Sequence, residues 1–459
     1  MKNALTLLAA LLLAPQAVLQ SAEVKLAAVF SDHMVLQREK PVPVWGWANA
    51  GEKVTVEFAG QAKTATADES GKWQLKLDAM PASTEPRPLK TNQLVIADVL
   101  VGDVWVCGGQ SNMERQLGPR PPQPLILNWE QEVAAANFPL IRHFGVAHKA
   151  DKEPPRDVVG RWEICSPQTV KEFTAVGYFF GRELERELKI PIGLLHSSWG
   201  GTGVATWTSR DALDGLPEVK AQLETELSQP KIGSKTPTIL FQNMIAPLLP
   251  FGIKGAIWFQ GESGAGLPVA YDKIFQIMIT DWRRHWGLGD FPFYFVQLPA
   301  GSPATREAQA RALRLPNTGM AITIDVGDPK DVHGPNKAPI GQRLARLALV
   351  QTYGRTGESS GPLFQSAAIE GSSIRVKFSH TGGGLVSNDG AALKHFTIAA
   401  EDRKFVPADA RIEGEEVVIN CPGIPKPAAV RYAWVGVPVG CNLFNKAGLP
   451  TAPFRTDDW

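Results

Sequence analysis

The sequence predicts an α/β protein with a mostly parallel sheet, flanked by an N-terminal and a C-terminal β-rich region. Between residues 101 and 356, short apolar strands alternate with amphipathic helical segments, a pattern typical of a parallel sheet with helices on both faces. Residues 23–100 and 357–459 show short strands separated by turn sequences instead. We therefore expect an N-terminal β-sandwich domain, a central α/β domain and a C-terminal β-rich region.

The composition indicates a globular protein large enough for more than one domain. The chain has 459 residues, of which 44% are hydrophobic and 20% are charged. Its formal net charge of +1 gives no reason to expect nucleic acid or an anionic membrane surface as a partner.

Residues 1–22 have the pattern of a secretory signal peptide. Lys2 supplies a positive charge, residues 4–14 form an apolar stretch, and Ser21 and Ala22 suit a cleavage end. The apolar stretch is too short to span a bilayer, and no later segment is long enough. We therefore expect an exported protein without a membrane span, located in the periplasm or outside the cell.

The cysteine content is low for an exported protein. The cysteines are Cys107, Cys165, Cys421 and Cys441. Cys421 and Cys441 lie in the same C-terminal segment and could pair, although the sequence does not assign the connectivity. No C-x-x-C or H-E-x-x-H spacing occurs, so we expect no metal site and no cofactor.

The N-terminal region is predicted as strands joined by turns. The strands are predicted over residues 43–48, 54–58, 73–77 and 94–96. The proline-containing residues 81–88 predict a loop. In the C-terminal region, strands are expected at residues 373–378 and 416–419.

The central region supplies the predicted parallel sheet. Its strands are predicted over residues 104–107, 192–195, 255–259, 293–298 and 320–324. Its helices are predicted over residues 169–189, 271–286 and 340–353. Residues 115–161 are proline-rich and predict a long loop over the sheet.

Polar or glycine-rich segments directly follow four of these predicted strands. They begin with Gly108, His196, Gln260 and Asp325. The carboxyl ends of strands in an open parallel sheet form its ligand crevice, so we expect these four segments to share one site.

Ser111 is the candidate nucleophile because it follows a strand and two glycines, where a hydroxyl is exposed at the sheet edge. The spacing is not the G-x-S-x-G elbow, since Met113 occupies the place of the last glycine. A serine that caps a helix explains this segment equally well when it is taken alone.

His333 is the candidate base for Ser111. Asp331 lies two residues earlier and could orient the imidazole, although Asp325 and Asp328 are alternatives. Ester hydrolysis also needs N–H donors for the developing oxyanion. The candidate donors are the backbone amides of Ser111 and Gly201 and the side-chain amide of Gln260.

Four segments resemble the SGNH-type sialate O-acetylesterases. They are residues 109–113 (GQSNM), 196–201 (HSSWGG), 257–263 (IWFQGES) and 331–333 (DVH), and the similarity extends over nearly the whole mature chain, including residues 238–248 and 441–457. The resemblance implies an SGNH-hydrolase-like three-layer sandwich and a carbohydrate esterase that removes O-acetyl groups with a serine nucleophile, without a metal.

The resemblance also implies roles for individual residues. It makes Ser111 the nucleophile and His333 the base, with Gly201 and Gln260 completing the oxyanion hole. Many SGNH hydrolases place the acid three residues before the histidine, where this chain has Lys330, whereas Asp331 stands two before it. In the same segments we expect four substrate contacts, from Gln110, Asn112, Trp199 and Glu262.

The expected partner is an O-acetylated sugar or glycan, most simply an acetylated sialic acid. Related esterases deacetylate xylan or xyloglucan, so an acetylxylan or xyloglucan acetylesterase is the alternative within the same chemistry. A catalytically silent carbohydrate-binding protein is the alternative from another class. The sequence leaves the oligomeric state open.

Overall fold

The computed structural model describes residues 24–267 and 269–459. The predicted signal peptide over residues 1–22 lies outside the described residues. The predicted α/β class is confirmed, since helices accompany one large sheet that runs through the middle of the molecule. None of the helices in the described ranges combines the length and apolar character that a membrane crossing needs.

The N-terminal region consists of strands, as predicted. They are β1 Lys25–Leu26, β2 Val35–Gln37, β3 Val42–Trp47, β4 Lys53–Phe58, β5 Gln61–Thr66, β6 Lys72–Leu77 and β7 Ser83–Thr91. In β4 and β6 every second side chain is buried, which is the alternation expected of a half-buried strand. Strands β1, β3 and β6 form one sheet, and β4, β5 and β7 belong to the large sheet.

The prediction of a loop over residues 81–88 was wrong, because β7 occupies most of this segment. Pro86 and Pro88 fall within the two register shifts in the pairing of β7 with the next strand. A proline cannot donate a ladder hydrogen bond, and these irregular positions do not demand one.

The central region contains strands β8 Val95–Gly109, β9 Phe138–Gly145, β10 Trp162–Cys165, β11 Ile192–Ser198, β12 Gly255–Phe259, β13 Phe293–Val296 and β14 Thr318–Ala321. Their order in the sheet is β10-β9-β11-β8-β12-β13-β14. All neighbouring pairs are parallel except β9 and β10, so the mostly parallel sheet is present.

Strand β8 belongs to both regions of the chain. Its first half pairs with β7 and β2, and its second half pairs with β11 and β12. The boundary expected between residues 100 and 101 therefore lies inside a continuous strand.

The helices of the central region cover both faces of the sheet. They are α1 Ser111–Glu114, α2 Trp129–Ala134, α3 Ala175–Leu188, α4 Arg210–Asp214, α5 Lys220–Ser228, α6 Tyr271–Trp286, α7 Pro303–Arg311 and α8 Ala338–Leu347. On one face Trp105 packs edge-on against Phe180 of α3, with ring centroids 5.1 Å apart. On the other face Trp258 packs edge-on against Trp282 of α6, with centroids 5.6 Å apart.

Two of the predicted helices are shorter than expected. Helix α3 begins only at Ala175 because Thr174 caps it, its side-chain oxygen accepting the Gly177 N–H. Helix α8 ends at Leu347 and continues as a π-helical turn over Ala348–Thr352. Helix α6 begins and ends at the predicted residues.

The prediction that residues 115–161 form one long loop was wrong, because the segment contains α2 and β9 and β9 lies inside the sheet. Strand β9 was not predicted because its polar residues interrupt the apolar pattern of a buried strand. Buried Arg142 pairs with Asp98 at 2.5 Å, and buried His143 stacks on Phe173 with ring centroids 4.4 Å apart. Both polar side chains are therefore accommodated in a mainly apolar environment.

The C-terminal region is β-rich, as predicted. Its strands are β15 Leu363–Glu370, β16 Ser373–Ser379, β17 Leu385–Ser387, β18 Phe396–Ala399, β19 Val406–Pro407, β20 Asp409–Glu413, β21 Glu416–Asn420, β22 Ala429–Tyr432, β23 Leu443–Asn445 and β24 Phe454–Arg455. The region contacts the central region through Arg455, which binds Glu307 of α7 with two nitrogens at 2.9 and 3.1 Å. Cys421 and Cys441 are free thiols, so the suggested disulfide is not formed.

Candidate active site

Ser111 stands at the carboxyl end of β8, where the strand turns into α1. Gly109 makes this turn with a φ of +140°, and a Cβ there would lie 2.1 Å from the Phe259 carbonyl oxygen. Only glycine fits so close to the neighbouring strand. The local sequence therefore forces the chain out of the sheet directly before the serine.

The structure places Ser111, His333 and Asp331 in a continuous hydrogen-bonded line. His333 Nε2 lies 3.0 Å from Ser111 Oγ, although 222 residues separate the two. His333 Nδ1 lies 3.0 Å from Asp331 Oδ1, and the same oxygen accepts the His333 backbone N–H at 2.8 Å. The arrangement suits proton transfer from the hydroxyl to an imidazole whose tautomer is fixed by a carboxylate.

The other two candidate acids have different partners. Asp325 binds Arg343 through both carboxylate oxygens at 2.6 Å. Asp328 accepts the backbone N–H of Lys330 at 2.8 Å. Asp331 is therefore the carboxylate that contacts the imidazole, despite its spacing of two residues from the histidine.

The contribution of this carboxylate can be measured by substitution. We expect Asp331→Asn to lower kcat for p-nitrophenyl acetate hydrolysis by a factor of up to about 10⁴, since losing a triad aspartate removes the group that orients and stabilises the imidazolium. Asp328→Asn serves as the matched control and should retain near-normal kcat. Equal losses in the two variants, or a normal rate in Asp331→Asn, would assign the acid role elsewhere.

The loop after β11 brings Gly200 and Gly201 against the serine. A Cβ on Gly200 would lie 3.2 Å from the Ser111 Cβ, and the Gly200 N–H donates to Glu114 Oε2 at 2.6 Å. Gly201 has a φ of +72°, a conformation that favours glycine. Glu114 of α1 thus holds this loop beside the serine.

The backbone amides of Ser111 and Gly201 remain available as donors. Within the described ranges neither N–H donates a hydrogen bond to the protein. The Ser111 N–H belongs to the first residue of α1, where a helix leaves its amides without an intrahelical acceptor. Both predicted backbone donors are therefore free to bind a developing oxyanion.

The Gln260 side chain, predicted as a third donor, is hydrogen-bonded within the protein. Gln260 is fully buried, and its Nε2 donates to the carbonyl oxygens of Thr202 at 3.2 Å and Gly264 at 3.0 Å. Both amide hydrogens are thus used, and the Tyr271 hydroxyl donates to its Oε1 at 2.9 Å. Gln260 therefore links the loops of Thr202 and Gly264, and its role as an oxyanion donor stays a prediction.

Three of the four predicted substrate contacts are hydrogen-bonded to other protein groups. Asn112 is fully buried, and Gln110 is only 3% exposed, with its Oε1 accepting the Ser263 N–H. Glu262 retains some exposed surface, but its Oε2 is buried and its Oε1 accepts from Asn112 at 2.5 Å. The substrate-binding roles of these three residues stay predictions.

Trp199, the fourth predicted substrate contact, is also partly exposed. Its indole stacks on His148 with ring centroids 4.0 Å apart and an angle of 7°. The His148 Nε2 lies 3.5 Å from Glu114 Oε1, and Arg120 also pairs with Glu114. An aromatic and charged surface therefore adjoins the Gly200–Gly201 loop.

Sequence reasoning missed several residues around the serine. Glu114 stands three residues after Ser111, a spacing that places both on one short helix and could have drawn attention to it. Lys337, which donates to Asn112 Oδ1 at 2.5 Å, carried no such signal, since lysine is rarely buried. His148 came from a segment predicted to be a loop.

One cluster of described residues has the donors and spacing for a metal ion. It comprises Asp211, Asp281 and His285 on α4 and α6. Arg284 pairs with both aspartates, so a guanidinium already balances their charge. The cluster is not in the strand-end loops that carry Ser111 and His333.

A family model described as carbohydrate esterase, sialic acid-specific acetylesterase, matches residues 101–350. This match covers more than half of the chain and includes every residue of the site described above. The chain therefore belongs to this family of carbohydrate esterases.

Individual relatives agree with the family. The chain is 28% identical to the sialate O-acetylesterase of Rattus norvegicus, with 94% of both chains covered. It is 27% identical to the sialate O-acetylesterase of Homo sapiens, covering 94% of this chain and 92% of the human one. The crystal structure of a carbohydrate acetylesterase from Xanthomonas citri is 37% identical, with a TM-score of 0.86 over 95% of this chain and 100% of that chain.

Proposed function

We propose that this protein hydrolyses acetyl esters on sugar hydroxyls, with Ser111 as nucleophile and His333 as base. The single observation that carries the proposal is the 3.0 Å contact between Ser111 Oγ and His333 Nε2 beside two free backbone amides. A binding protein needs no such pairing, so this observation disfavours a catalytically silent role. The family and the relatives supply the substrate class, an acetylated carbohydrate.

The reaction proceeds in two halves. His333 Nε2 accepts the proton of Ser111 Oγ as the oxygen attacks the acetyl carbonyl, and Asp331 stabilises the imidazolium. The carbonyl oxygen becomes an oxyanion that the backbone amides of Ser111 and Gly201 bind. The imidazolium then protonates the departing sugar oxygen, which leaves acetyl-Ser111. A water molecule, deprotonated by His333, releases acetate and restores the serine.

The same proposal covers architecture and location. The central sheet with α3 and α8 on one face and α6 on the other supports an SGNH-hydrolase-like three-layer sandwich. We propose residues 101–356 as the catalytic domain, between a β-sandwich domain at residues 23–100 and a β-rich region at residues 357–459. The sequence of residues 1–22 supports export to the periplasm or the extracellular space.

The sugar is proposed to be sialic acid, since the family and the mammalian relatives carry that specificity in their names. Trp199 supports a sugar-binding role beside the serine, because an exposed indole offers an apolar face to the C–H surface of a sugar ring. Acetylxylan and xyloglucan remain the alternatives within the same chemistry.

An acetate-release assay tests this proposal. We expect release of acetate from O-acetylated sialic acid at a higher kcat/KM than from acetylated xylan or xyloglucan, with no added metal. We also expect p-nitrophenyl acetate to be a better substrate than the butyrate ester, since Gly200 packs closely against the serine. Faster release from xylan or xyloglucan would identify a plant polysaccharide as the substrate instead. If no acetyl ester were hydrolysed, the catalytically silent carbohydrate-binding role would be favoured.

A further inference from the structure

Three polar side chains next to Ser111 form a buried chain that the reaction scheme above does not use. Lys337 Nζ donates to Asn112 Oδ1 at 2.5 Å, and Asn112 Nδ2 donates to Glu262 Oε1 at 2.5 Å. Lys337 is only 1% exposed and Asn112 is fully buried. The side-chain amide of Asn112 therefore bridges the Lys337 amine and the Glu262 carboxylate. Asn112 directly follows the nucleophile in the sequence.

Asn112 also binds the segment that carries the base. Its Nδ2 donates to the Val332 carbonyl oxygen at 3.1 Å, and Val332 immediately precedes His333. One side chain thus connects the helix that begins with Ser111, the loop after β12 and the loop of His333. The Asn112 side chain thus directly hydrogen-bonds the helix of Ser111 to the loop of His333.

The buried charges are costly for the fold. Burial lowers the pKa of Lys337 to about 7, although the neighbouring Glu262 favours its charged form. Burial likewise raises the pKa of Glu262, and its Oε2 has no hydrogen-bond partner. Apolar residues of similar volume commonly give equal or greater stability than a buried ion pair. Stability alone therefore does not explain a lysine at this position.

We propose that Lys337 is a positioning residue for the esterase reaction, which acts through Asn112 to hold the His333 loop against Ser111. This inference rests on the proposed function. Lys337 touches neither the substrate nor the reacting atoms; it fixes Asn112, and Asn112 fixes the two segments that must meet.

The first test is Lys337→Met, which keeps most of the length of the side chain and removes the amine. We expect kcat for p-nitrophenyl acetate to fall roughly ten- to a hundredfold with little change in KM, because small displacements of catalytic groups have effects of this size. Lys330→Met is the control, since Lys330 is exposed in the same segment, and it should change neither quantity.

The second test is Glu262→Gln, which preserves shape and keeps an acceptor for Asn112. We expect a smaller loss of kcat than in Lys337→Met, again with little change in KM. Because KM is expected to stay unchanged in both variants, general loosening of the site does not produce the result. Circular dichroism and thermal unfolding of each variant establish that folded proteins are compared.

The outcomes separate this inference from the proposed function. Ser111→Ala is assayed in parallel, and turnover retained in that variant overturns the esterase mechanism itself. If Ser111→Ala is inactive while Lys337→Met has normal kcat, or if Lys337→Met raises KM as much as it lowers kcat, the positioning role is overturned alone. If Lys337→Met does not fold, the change of kcat at constant KM in Glu262→Gln decides, and a normal kcat there overturns the positioning role.

Discussion

Replacing Ser111 by alanine lowers kcat for p-nitrophenyl acetate by a factor on the order of 10⁴ to 10⁶, the range known for loss of a catalytic serine. The variant keeps the backbone amides and the His333 ring but has no oxygen to form the acetyl-enzyme. Initial rates at saturating substrate measure the effect, and the acetyl-serine should be detectable by mass spectrometry after rapid quenching of the wild type only. The side chain is small and its hydroxyl contacts only the imidazole in the described part of the chain, so the fold should be unaffected.

A second serine at a helix start serves as the control for this prediction. Ser302 precedes α7 and makes no side-chain capping hydrogen bond. Ser302→Ala should therefore have normal kcat. Turnover in Ser111→Ala at the level of Ser302→Ala would falsify the nucleophile assignment.

Replacing His333 by glutamine is expected to lower kcat by a similar factor, on the order of 10⁴ to 10⁶. Glutamine reaches a comparable distance and can hydrogen-bond Ser111, but its amide does not accept a proton at neutral pH, so the hydroxyl stays a poor nucleophile. The kcat/KM profile should also lose its acidic limb, and the residual rate should rise with hydroxide concentration. Rates measured from acidic to alkaline pH provide the test.

His33 offers a matched control because it also pairs with an aspartate. Its Nδ1 lies 2.6 Å from Asp98 Oδ2, and no serine hydroxyl contacts its ring within the described residues. His33→Gln should leave kcat and its pH dependence unchanged. A profile in His333→Gln that matches that of His33→Gln would remove the histidine from the mechanism.

The sequence predicted secondary structure correctly where the local pattern of apolar residues matches the burial that the fold requires. Helix α6 and strand β12 were predicted at their observed bounds, because the apolar residues of α6 recur with the helical period and β12 is one short, continuous apolar run. The meeting of Ser111 and His333 followed from a rule about parallel sheets, since both segments follow strands whose carboxyl ends share an edge. Nothing in the local sequence alone connects these two residues.

Side-chain direction was the part that the sequence could not supply. Gln260 and Asn112 occupy segments that adjoin the serine, yet both side chains bind other protein groups, because a buried polar side chain needs hydrogen-bond partners. Strand β9 was missed for a related reason. Its buried Arg142 and His143 have long-range partners, Asp98 and Phe173, that no local pattern shows.

Strand β8 has a consequence for how such a protein can be rearranged. Strand β8 pairs with the N-terminal region near its middle, where Val101 lies opposite Leu36, and Ser111 follows its carboxyl end. One continuous strand therefore connects the N-terminal region to the nucleophile. A chimera with a different N-terminal region joined at residue 100 must therefore reproduce the hydrogen-bond register of β8, or the Ser111 hydroxyl will be misplaced. Because the two regions share this strand, the N-terminal region cannot be exchanged by simple fusion.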